Sequence, residues 1–469
     1  MIKRLDQVNH KTFSPHPKNK NISANRNLFM SDHSNQFSQY FGYAIYLLLI
    51  FSPFAYYGWR HARLNKRNLS ILAAAKQAGL TEPPSMHPLI DPKRCLACGC
   101  CVDACPEGNV LGMVDNQVQV INPTNCIGHG VCRSVCPHDA ITLVFGSEKR
   151  GVDIPFLSPT FETNVPGIFI AGELGGMGLI RNSVEQGRQA IQSIKSVDAN
   201  DAPYDVVIVG AGPAGFSASL AALESKLRYV TVEQETLGGT VAHFPRGKLV
   251  MTKPFTLPIF GLIKMRETTK EALLEMWQEM AKKSGVKINY EERMEDITPH
   301  EGGGYLIKTS RASYHTRTIL LAIGRRGTPR KLDVPGEKLN KVTYSLIDAE
   351  QYQNQHVLVV GGGDAALEAA TSIAEQPDTT VTLSYRGDAF SRTKEKNRAK
   401  VNELQAANRL QVLLSSQVIE IKPKTVEVKH LENTIELQND AVIICAGGVL
   451  PTPFLKKIGI EIETKYGTA

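Results

Sequence analysis

One cysteine spacing occurs twice in this chain, and this repeat constrains the fold more than any other feature of the sequence. The first copy, Cys95–Pro106, has the spacing C-x2-C-x2-C-x3-C-P, and one of its variable positions holds an additional cysteine, Cys100. The second copy, Cys126–Pro137, begins 31 residues later and has His129 where the first copy has its second cysteine. Eight of the 9 cysteines lie in these copies, and the ninth is Cys445. Such a dense group in a chain of 469 residues indicates a metal site rather than a disulfide scaffold.

The spacing C-x2-C-x2-C-x3-C-P suits an iron–sulfur cluster. A tight loop directs three thiolates at one cluster, and the fourth cysteine serves the other cluster in two-cluster proteins. Residues 88–145 resemble a bacterial two-cluster ferredoxin domain. This resemblance implies the following ligands: Cys95, Cys98, Cys101 and Cys136 for a first [4Fe–4S] cluster, and Cys105, Cys126 and Cys132 for a second, with His129 in the remaining place.

His129 leaves three interpretations of the second cluster open. The imidazole ligates iron and raises the cluster potential, or one corner stays open and a three-iron cluster forms, or the second site is empty. Cys100 is an additional thiol beside a predicted ligand. We expect it to be a passive neighbour, with a substitute ligand or a redox thiol as the alternatives.

The residues from Phe41 to Trp59 are predominantly apolar and carry no charge. Their length predicts one transmembrane helix. The next 20 residues contain five Lys/Arg and no acid, which predicts a single-pass membrane protein with its cofactor domains in the cytoplasm. A signal peptide and a core helix are the alternatives. The first 30 residues are predicted to be disordered, and Met30 is a second candidate start.

A strand–turn–helix pattern follows at Asp205, and its turn contains Gly210, Gly212 and Gly215. These glycines allow a tight turn, close approach of a pyrophosphate and close helix packing. Glu233 ends the next strand, where a carboxylate binds ribose hydroxyls. A second glycine-rich turn comes after it: Gly238, Gly239 and Thr240.

A second dinucleotide pattern lies further along the chain. The strand HVLVV leads into Gly361 and Gly363, and a helical segment containing Ala366 follows. Arg386 stands where an acidic residue would bind the ribose of NAD, which favours NADP. Arg392 and Lys394 are further candidates for the 2′-phosphate; a solvated loop is the alternative.

Two nested patterns of this kind resemble the thioredoxin-reductase-like branch of pyridine nucleotide–flavin oxidoreductases. The resemblance implies FAD in the first unit and NAD(P)H in the second. The C-x-x-C of thioredoxin reductases is missing, since only Cys445 lies in the nucleotide unit, where we expect a packing residue. A segment that resembles the closing part of the FAD domain of this family lies upstream, at 166–191; an unrelated βα unit is the alternative. We therefore predict a circular permutation in which Gly172 and Glu173 bind the flavin.

The predicted fold class is α/β, with two Rossmann-like domains, a small α+β ferredoxin-like domain and one transmembrane helix. The expected segments are a disordered tail (1–40), the membrane helix (41–59), a basic linker (60–87), the ferredoxin-like domain (88–145), the permuted closing segment (146–200), the FAD domain (201–338), the NAD(P) domain (339–446) and a return to the FAD domain (447–469).

These cofactors predict an oxidoreductase that moves electrons between NAD(P)H, FAD and two iron–sulfur clusters. The expected partner is an electron-carrier protein or a membrane redox protein, and a homodimer is left open. The alternatives are a flavin-dependent reductase of disulfides or small molecules, and a non-enzymatic redox sensor. Nucleic acid is not expected as a partner, because residues 1–94 hold 13 Lys/Arg against 4 Asp/Glu and the remainder is slightly acidic. No catalytic side chain is predicted, because the cofactors carry the chemistry.

Overall fold

The computed structural model describes residues 24–83, 86–148, 150–176, 178–251, 254–265, 267–325 and 327–467. Within helices and strands, nothing is said of the side chains of residues 24–42, 44, 251 and 328. The chain divides into two compact units, Met1–Lys66 and Arg67–Ala469.

The described part of the first unit is helical and belongs to helix α1, Ala24–Gln77. The helix begins inside the segment 1–40 that the sequence predicts to be disordered; residues 1–23 of that segment lie outside the described residues. Between Ile45 and Trp59 the side chains are exposed.

The prediction of a membrane span at 41–59, and with it the single-pass localisation, is wrong. In the part of the chain that the structure describes, no helix combines the length and the apolar character needed to cross a bilayer. The physical reason lies in the composition of the segment. Four tyrosines, Ser52, Pro53 and Gly58 interrupt its aliphatic residues and lower the mean hydropathy.

The second unit begins with the last turns of α1, and the end of this helix is well defined. Gly79 has a left-handed φ of 66°. Its N–H donates to the carbonyl of Lys76, and the N–H of Leu80 donates to the carbonyl of Ala75 at 2.8 Å. This pair of bonds satisfies carbonyls that the helix end leaves without partners, which explains why the helix stops before Gly79.

The cysteine-rich module follows. It contains two short antiparallel strand pairs, β1 with β4 and β2 with β3. Asp115 and Asn116 both have positive φ, as a two-residue hairpin between β2 and β3 requires. The elements of this module are β1 (His87–Ile90), α2 (Cys100–Asp103), β2 (Leu111–Val114), β3 (Gln117–Val120), α3 (Val131–Ser134) and β4 (Ile141–Val144).

The repeat in the sequence is also a repeat in the backbone. Ala97 and Gly99 adopt left-handed φ values of 53° and 80°. Gly128 and Gly130, at the equivalent positions of the second copy, have φ values of 78° and 74°. The two helices α2 and α3 therefore begin with the same turn, and the residue between each left-handed pair is a predicted ligand.

The first dinucleotide domain is built on a six-stranded sheet with the order β13-β14-β15-β7-β8, and β6 also pairs with β15. Strands β6, β7 and β15 are parallel. The elements are β5 (Val152–Pro155), β6 (Ile168–Ile170), α4 (Ile180–Lys195), β7 (Tyr204–Val209), α5 (Pro213–Glu224), β8 (Tyr229–Val232), β9 (Leu249–Met251), β10 (Phe255–Leu257), β11 (Gly261–Ile263), β12 (Thr268–Thr269), α6 (Lys270–Ser284), β13 (Met294–Pro299), β14 (Tyr305–Thr309), β15 (Ser313–Leu321) and β16 (Thr328–Pro329).

The segment upstream of β7 is part of this domain. Strand β6 adds to the sheet beside β15, with Ile168 opposite Ile319. Helix α4 packs against α5, and Gly187 makes the close approach: a Cβ at this position would lie 2.1 Å from the carbonyl oxygen of Ala214. Only glycine fits this contact without a shift of the backbone.

The second dinucleotide domain has a five-stranded parallel sheet with the order β17-β24-β18-β19-β20, and an antiparallel sheet formed by β21, β22 and β23. Its elements are β17 (Val342–Thr343), β18 (His356–Val360), α7 (Asp364–Ala374), β19 (Thr380–Ser384), α8 (Glu395–Ala406), β20 (Leu410–Leu413), β21 (Ser416–Ile421), β22 (Thr425–His430), β23 (Asn433–Gln438) and β24 (Ala441–Ile444). The chain then continues through β25 (Gly448–Val449), α9 (Thr452–Lys457) and β26 (Ile462–Lys465), and Leu455 of α9 packs in the core of the first domain.

Two strand pairs join these parts of the chain. Strand β16 pairs with β25, and both lie where the chain passes between the two dinucleotide domains. Strand β5, which follows the cysteine-rich module, pairs antiparallel with β26. The side chain of Thr464 donates to Asp153 across this second pair at 2.8 Å.

Candidate cofactor sites

The first set of predicted cluster ligands lines one small cavity. Its walls also contain Ile90, Val118 and Ile141, so the thiols face an apolar space. The four ligands at this first cavity are Cys95, Cys98, Cys101 and Cys136.

The second set lines a separate small cavity. Its four predicted ligands are Cys105, Cys126, His129 and Cys132. The His129 side chain is 16% exposed, and its Nε2 lies 3.7 Å from Oε1 of Glu107. His129 thus occupies the cavity position that its place in the repeat implies.

The chemistry of both donor sets fits iron–sulfur clusters. All nine cysteines lie in the described part of the chain, and none forms a disulfide. Among the described residues, no three His, Cys, Asp or Glu side chains converge enough to hold a single metal ion. The predicted ligands line two separate cavities, four to each cavity.

Burial controls the protonation of the inner thiols. It raises the pKa of Cys101 to about 11. Burial also raises the pKa of Cys126 to about 11, although the N–H of Gly128 opposes the shift. Such a thiol loses its proton to solvent when a positively charged group, such as a metal centre, compensates the buried thiolate charge.

The exposed side of the first cavity differs from its buried side. The backbone N–H and then the thiol of Cys100 lower the pKa of Cys98 through hydrogen bonds. Both of these cysteines are exposed. Cys100 therefore contacts a predicted ligand directly and does not line the cavity.

The glycine turn after β7 forms a backbone cradle. A Cβ on Gly215 would lie 1.8 Å from the carbonyl oxygen of Gly210, so α5 can start this close to the strand only with glycine. Gly239 faces Gly212 across the turn, where a Cβ on Gly239 would lie 3.1 Å from the Gly212 Cα. Gly238 adds a bond from its N–H to the carbonyl of Ala211 at 3.0 Å. The two predicted glycine turns are thus in contact.

Glu233 lies beneath this cradle. Its carboxylate accepts the N–H of Ala211 at 2.6 Å and that of Glu235 at 3.0 Å. Burial raises the pKa of Glu233, and these two donors oppose that shift. The carboxylate therefore connects the end of β8 to the turn after β7. Thr240 lies at the start of the 3₁₀ turn Gly239–His243.

The turn after β6 lies against the same cradle. The N–H of Gly172 donates to Oε1 of Gln186 in α4 at 2.8 Å, and Gly172 approaches the Ala214 side chain. Burial raises the pKa of Glu173, the next residue, while the positive charge of Arg325 opposes the shift. Arg325 in turn donates to the carbonyl of Asp153 at 3.0 Å.

The turn after β18 offers a second cradle. Gly363 has open space where a side chain would lie, and it precedes α7. At Gly361 a Cβ would lie 2.4 Å from the carbonyl oxygen of Cys445, which accounts for this glycine. Ala366 is buried. Cys445 is partly buried and packs against the core of this domain, as expected for a packing residue.

The predicted cations lie in the segment that follows β19. Arg386 is exposed and Arg392 is half-buried. The N–H of Lys394 donates to Asp364 at 2.9 Å, which ties this segment to the first residue of α7. The Lys394 side chain takes no part in this hydrogen bond, which is made by the backbone alone.

Three contacts of these sites were not predicted from the sequence. The ring of Tyr385 covers Gly362, where a Cβ would come within 2.2 Å of it. The side chain of Asn122, before the second cysteine copy, donates to Glu395 at 3.3 Å. Phe145 contacts Gly176, where a Cβ would lie 2.6 Å from the Phe145 Cζ. Each contact joins residues that are far apart in the sequence or depends on a side-chain orientation. No local sequence motif therefore predicts it.

Comparison with known proteins identifies the class. Residues 207–468 match the family described as pyridine nucleotide-disulphide oxidoreductase, and residues 87–137 match the 4Fe-4S dicluster domain. Since the first match covers more than half of the chain, the chain belongs to the pyridine nucleotide-disulphide oxidoreductase family. The predicted FAD-dependent NAD(P)H oxidoreductase is confirmed, as are the mixed α/β fold and the 4Fe–4S dicluster domain.

Individual relatives match part of the chain. One subunit of the alkyl hydroperoxide reductase of Pseudomonas putida is 29% identical over 319 residues, which are 64% of this chain and 57% of that protein. Ferredoxin–NADP reductase of Picrophilus torridus is 28% identical over 271 residues, 55% of this chain and 78% of that protein. Among solved structures, thioredoxin reductase of Lactococcus lactis has 25% identity and a TM-score of 0.43, covering 55% of this chain and 81% of its own.

Proposed function

We propose that this enzyme transfers electrons between NADPH and a one-electron carrier protein, by way of FAD and two iron–sulfur clusters. The observation that carries the proposal is that two cavities, each lined by one set of four repeat-derived ligands, lie in the same compact unit as both glycine turns. When bound, the flavin supplies two-electron exchange with NADPH and single-electron exchange with clusters, each of which carries one electron. The chain itself supplies binding, orientation and electrostatics.

For FAD, we assign the pyrophosphate to the cradle of Gly210, Gly212 and Gly215, with Gly239 facing it. Backbone N–H groups at the start of α5 point toward that position, and the helix dipole favours a negative charge there. Glu233 would bind the ribose hydroxyls in exchange for one of its present backbone donors. Its buried position supports this role, since a carboxylate with two donors is already ordered.

We also propose that the FAD domain is circularly permuted, so that its closing segment precedes its first strand. The parallel pairing of β6 with β15 and the packing of α4 on α5 support this order. Glu173 would then bind the ribityl chain of the flavin. The proposed domain limits follow: the ferredoxin-like domain at 88–145, the closing segment at 146–200, the FAD domain at 201–338, the NAD(P) domain at 339–446 and the return at 447–469.

For the nicotinamide nucleotide, we assign the pyrophosphate to Gly361 and Gly363 and the 2′-phosphate to Arg386, with Arg392 as a second candidate for that phosphate. Arginine binds phosphate through two parallel hydrogen bonds, which a ribose without the phosphate cannot accept. Lys394 is exposed and its backbone N–H bonds to Asp364 near the same turn, so its ammonium group stays a further candidate for this phosphate.

For the clusters, we assign Cys95, Cys98, Cys101 and Cys136 to the first cavity. We assign Cys105, Cys126, Cys132 and His129 to the second. Of the three interpretations of His129, ligation to iron is the one we propose, because its side chain is mostly buried and lines the cavity with the three cysteines. An open corner with a three-iron cluster is the competing assignment.

An anaerobic titration with NADPH tests the proposed electron transfer. Flavin absorbance and the EPR signals of reduced clusters are followed on the purified protein, and dithionite provides the fully reduced reference. We expect the flavin to bleach and reduced-cluster signals to appear. Bleaching without signals, in a protein whose clusters dithionite does reduce, contradicts the proposal.

A second candidate function is reduction of a disulfide substrate. The contact between the exposed thiols of Cys98 and Cys100 is the observation that favours it. NADPH-dependent reduction of an aromatic disulfide by the parent and by Cys100→Ser distinguishes the two functions. Direct thiol participation predicts that this variant loses the activity, whereas electron transfer through the clusters predicts no change.

A further inference from the structure

Strand β4 contacts both cluster cavities in a fixed order. Ile141 lines the first cavity, and Leu143 lines the second. Residues two apart on a strand point to the same face, and each residue advances the strand by about 3.4 Å. The two cavities therefore lie side by side along this face, with the first at the beginning of the strand and the second nearer its end.

The neighbouring strand repeats this order independently. In the antiparallel pair of β1 with β4, Ile90 is opposite Ile141 and Pro88 is opposite Leu143. Ile90 lines the first cavity and Pro88 lines the second. Both strands therefore contact the two cavities in the same order, so this order does not depend on the position of a single side chain.

The chain continues from β4 to the flavin-closing turn. Phe145 directly follows the strand, and its ring contacts Gly176, where a Cβ would come within 2.6 Å of Cζ. Gly176 ends the short 3₁₀ turn that begins at Glu173. Ile154 also approaches Gly176, with its Cδ1 3.4 Å from the same Cβ position. The end of β4 that is nearer the second cavity therefore leads to the turn that we assign to FAD.

The exposure of the predicted ligands to solvent is greater at the first cavity, which lies farther from the flavin-closing turn. At the first cavity, Cys98 is exposed and the Leu96 side chain is 69% exposed. At the second, Cys126 and Cys132 are both buried. The ligands of the first cavity are thus the more exposed set, although Pro106 and Glu107 at the wall of the second cavity are exposed as well.

We infer that β4 sets the order of electron transfer: the His129 cavity lies between the flavin and the Cys98 cavity, and the Cys98 cavity exchanges electrons with the external carrier. This inference rests on the proposed function. Oxidation of one NADPH yields NADP⁺, one proton and two electrons, so each cavity receives one electron and the proton goes to solvent. Reduction of NADP⁺ uses the same order in reverse.

Repeat-equivalent variants test this order. Cys95→Ala removes a ligand of the first cavity, and Cys126→Ala removes the ligand at the same position of the second copy. For each variant, iron content and the EPR signal are measured after NADPH and after dithionite. We expect NADPH to reduce the remaining cluster of Cys95→Ala but not that of Cys126→Ala, while dithionite reduces both. The reverse pattern, or reduction of both remaining clusters by NADPH, overturns the inference.

A second pair of variants covers the case in which a cysteine variant loses all its iron. Phe145→Ala removes the ring at the flavin-closing turn, and the matched control Leu89→Ala removes an exposed side chain on the outer face of β1. Stopped-flow reduction by NADPH is followed at the flavin and at the clusters. We expect cluster reduction in Phe145→Ala to slow at least about tenfold with flavin reduction unchanged, since a misplacement of about 1 Å between reacting centres can cost about a hundredfold in rate. An unchanged rate refutes the inference. Failure of NADPH to reduce either cluster in the parent refutes the proposed function instead.

Discussion

The packing of α4 on α5 gives a sharp prediction for Gly187→Ala. The new Cβ would lie 2.1 Å from the carbonyl oxygen of Ala214 and 3.2 Å from its Cα. Both are backbone atoms at the start of α5, so no flexible side chain can rotate away. The helices must separate by about 1 Å to reach an ordinary contact.

The expected cost follows from this geometry. Overpacking of a filled core costs about 1–3 kcal/mol, and a rigid backbone neighbour places this contact at the upper end. Alanine is the better helix former by about 1 kcal/mol, which offsets part of that cost. We therefore expect a net loss of about 2 kcal/mol in the free energy of unfolding. For a domain of this size that lowers Tm by roughly 4–8 °C.

The flavin content of Gly187→Ala should also fall. Helix α4 fixes the proposed flavin-closing turn, because the N–H of Gly172 donates to the Gln186 side chain in that helix. The assay is thermal unfolding together with the ratio of bound flavin to protein. Gly178→Ala is the control, since its nearest neighbours would be 3.9 Å from the new Cβ. Equal Tm and equal flavin content in Gly187→Ala and the parent would refute the reasoning.

Three further predictions concern the nucleotide, the second cluster and pH. Arg386→Ala should raise the KM for NADPH about tenfold and leave the KM for NADH unchanged, because one phosphate contact of about 1.4 kcal/mol is lost; an equal effect on both nucleotides contradicts the assignment. His129→Cys should lower the potential of the second cluster in an EPR-monitored redox titration, because thiolate replaces imidazole; an unchanged potential excludes His129 as a ligand. Hydrogen bonding to Arg228 lowers the pKa of the Asp205 carboxyl, so its stabilisation is complete above the unfolded pKa of about 3.9 and is lost as pH falls through the folded pKa. Asp205→Asn should therefore be less stable than the parent at neutral pH, with a difference that vanishes in acid; urea unfolding at several pH values measures it, and a difference independent of pH is the contrary result.

The cysteine sites were the most predictable part of the molecule. Ligation fixes the spacing of cysteines, and the repeat placed each predicted set around one cavity, His129 included. The repeat even extends to backbone conformation at Ala97 and Gly128. Glycine turns were readable for a similar reason, because a turn that carbonyl oxygens approach closely excludes other residues.

Side-chain contacts between distant segments were not predictable. Nothing in the sequence near Asn122 indicates that its amide reaches Glu395, and nothing near Gly362 indicates that the Tyr385 ring covers it. For helix α1 the prediction failed in the other direction, because the sequence suggested a feature that the structure contradicts. An uncharged stretch of the right length suggested a membrane span, but its tyrosines, serine and proline make it less apolar than the absence of charge implies.

The pairing of β5 with β26 has a consequence for synthesis on the ribosome. Asp153 and Thr464, which bond across this pair, are 311 residues apart in the chain. At about 5–20 residues per second, β5 waits roughly 15–60 s for its partner to emerge. The strand pairs of the cysteine-rich module all close within the module itself, so this module can fold while the rest is being made. The strands that surround the cluster cavities therefore have all their pairing partners well before the sheet of the flavin site can be completed.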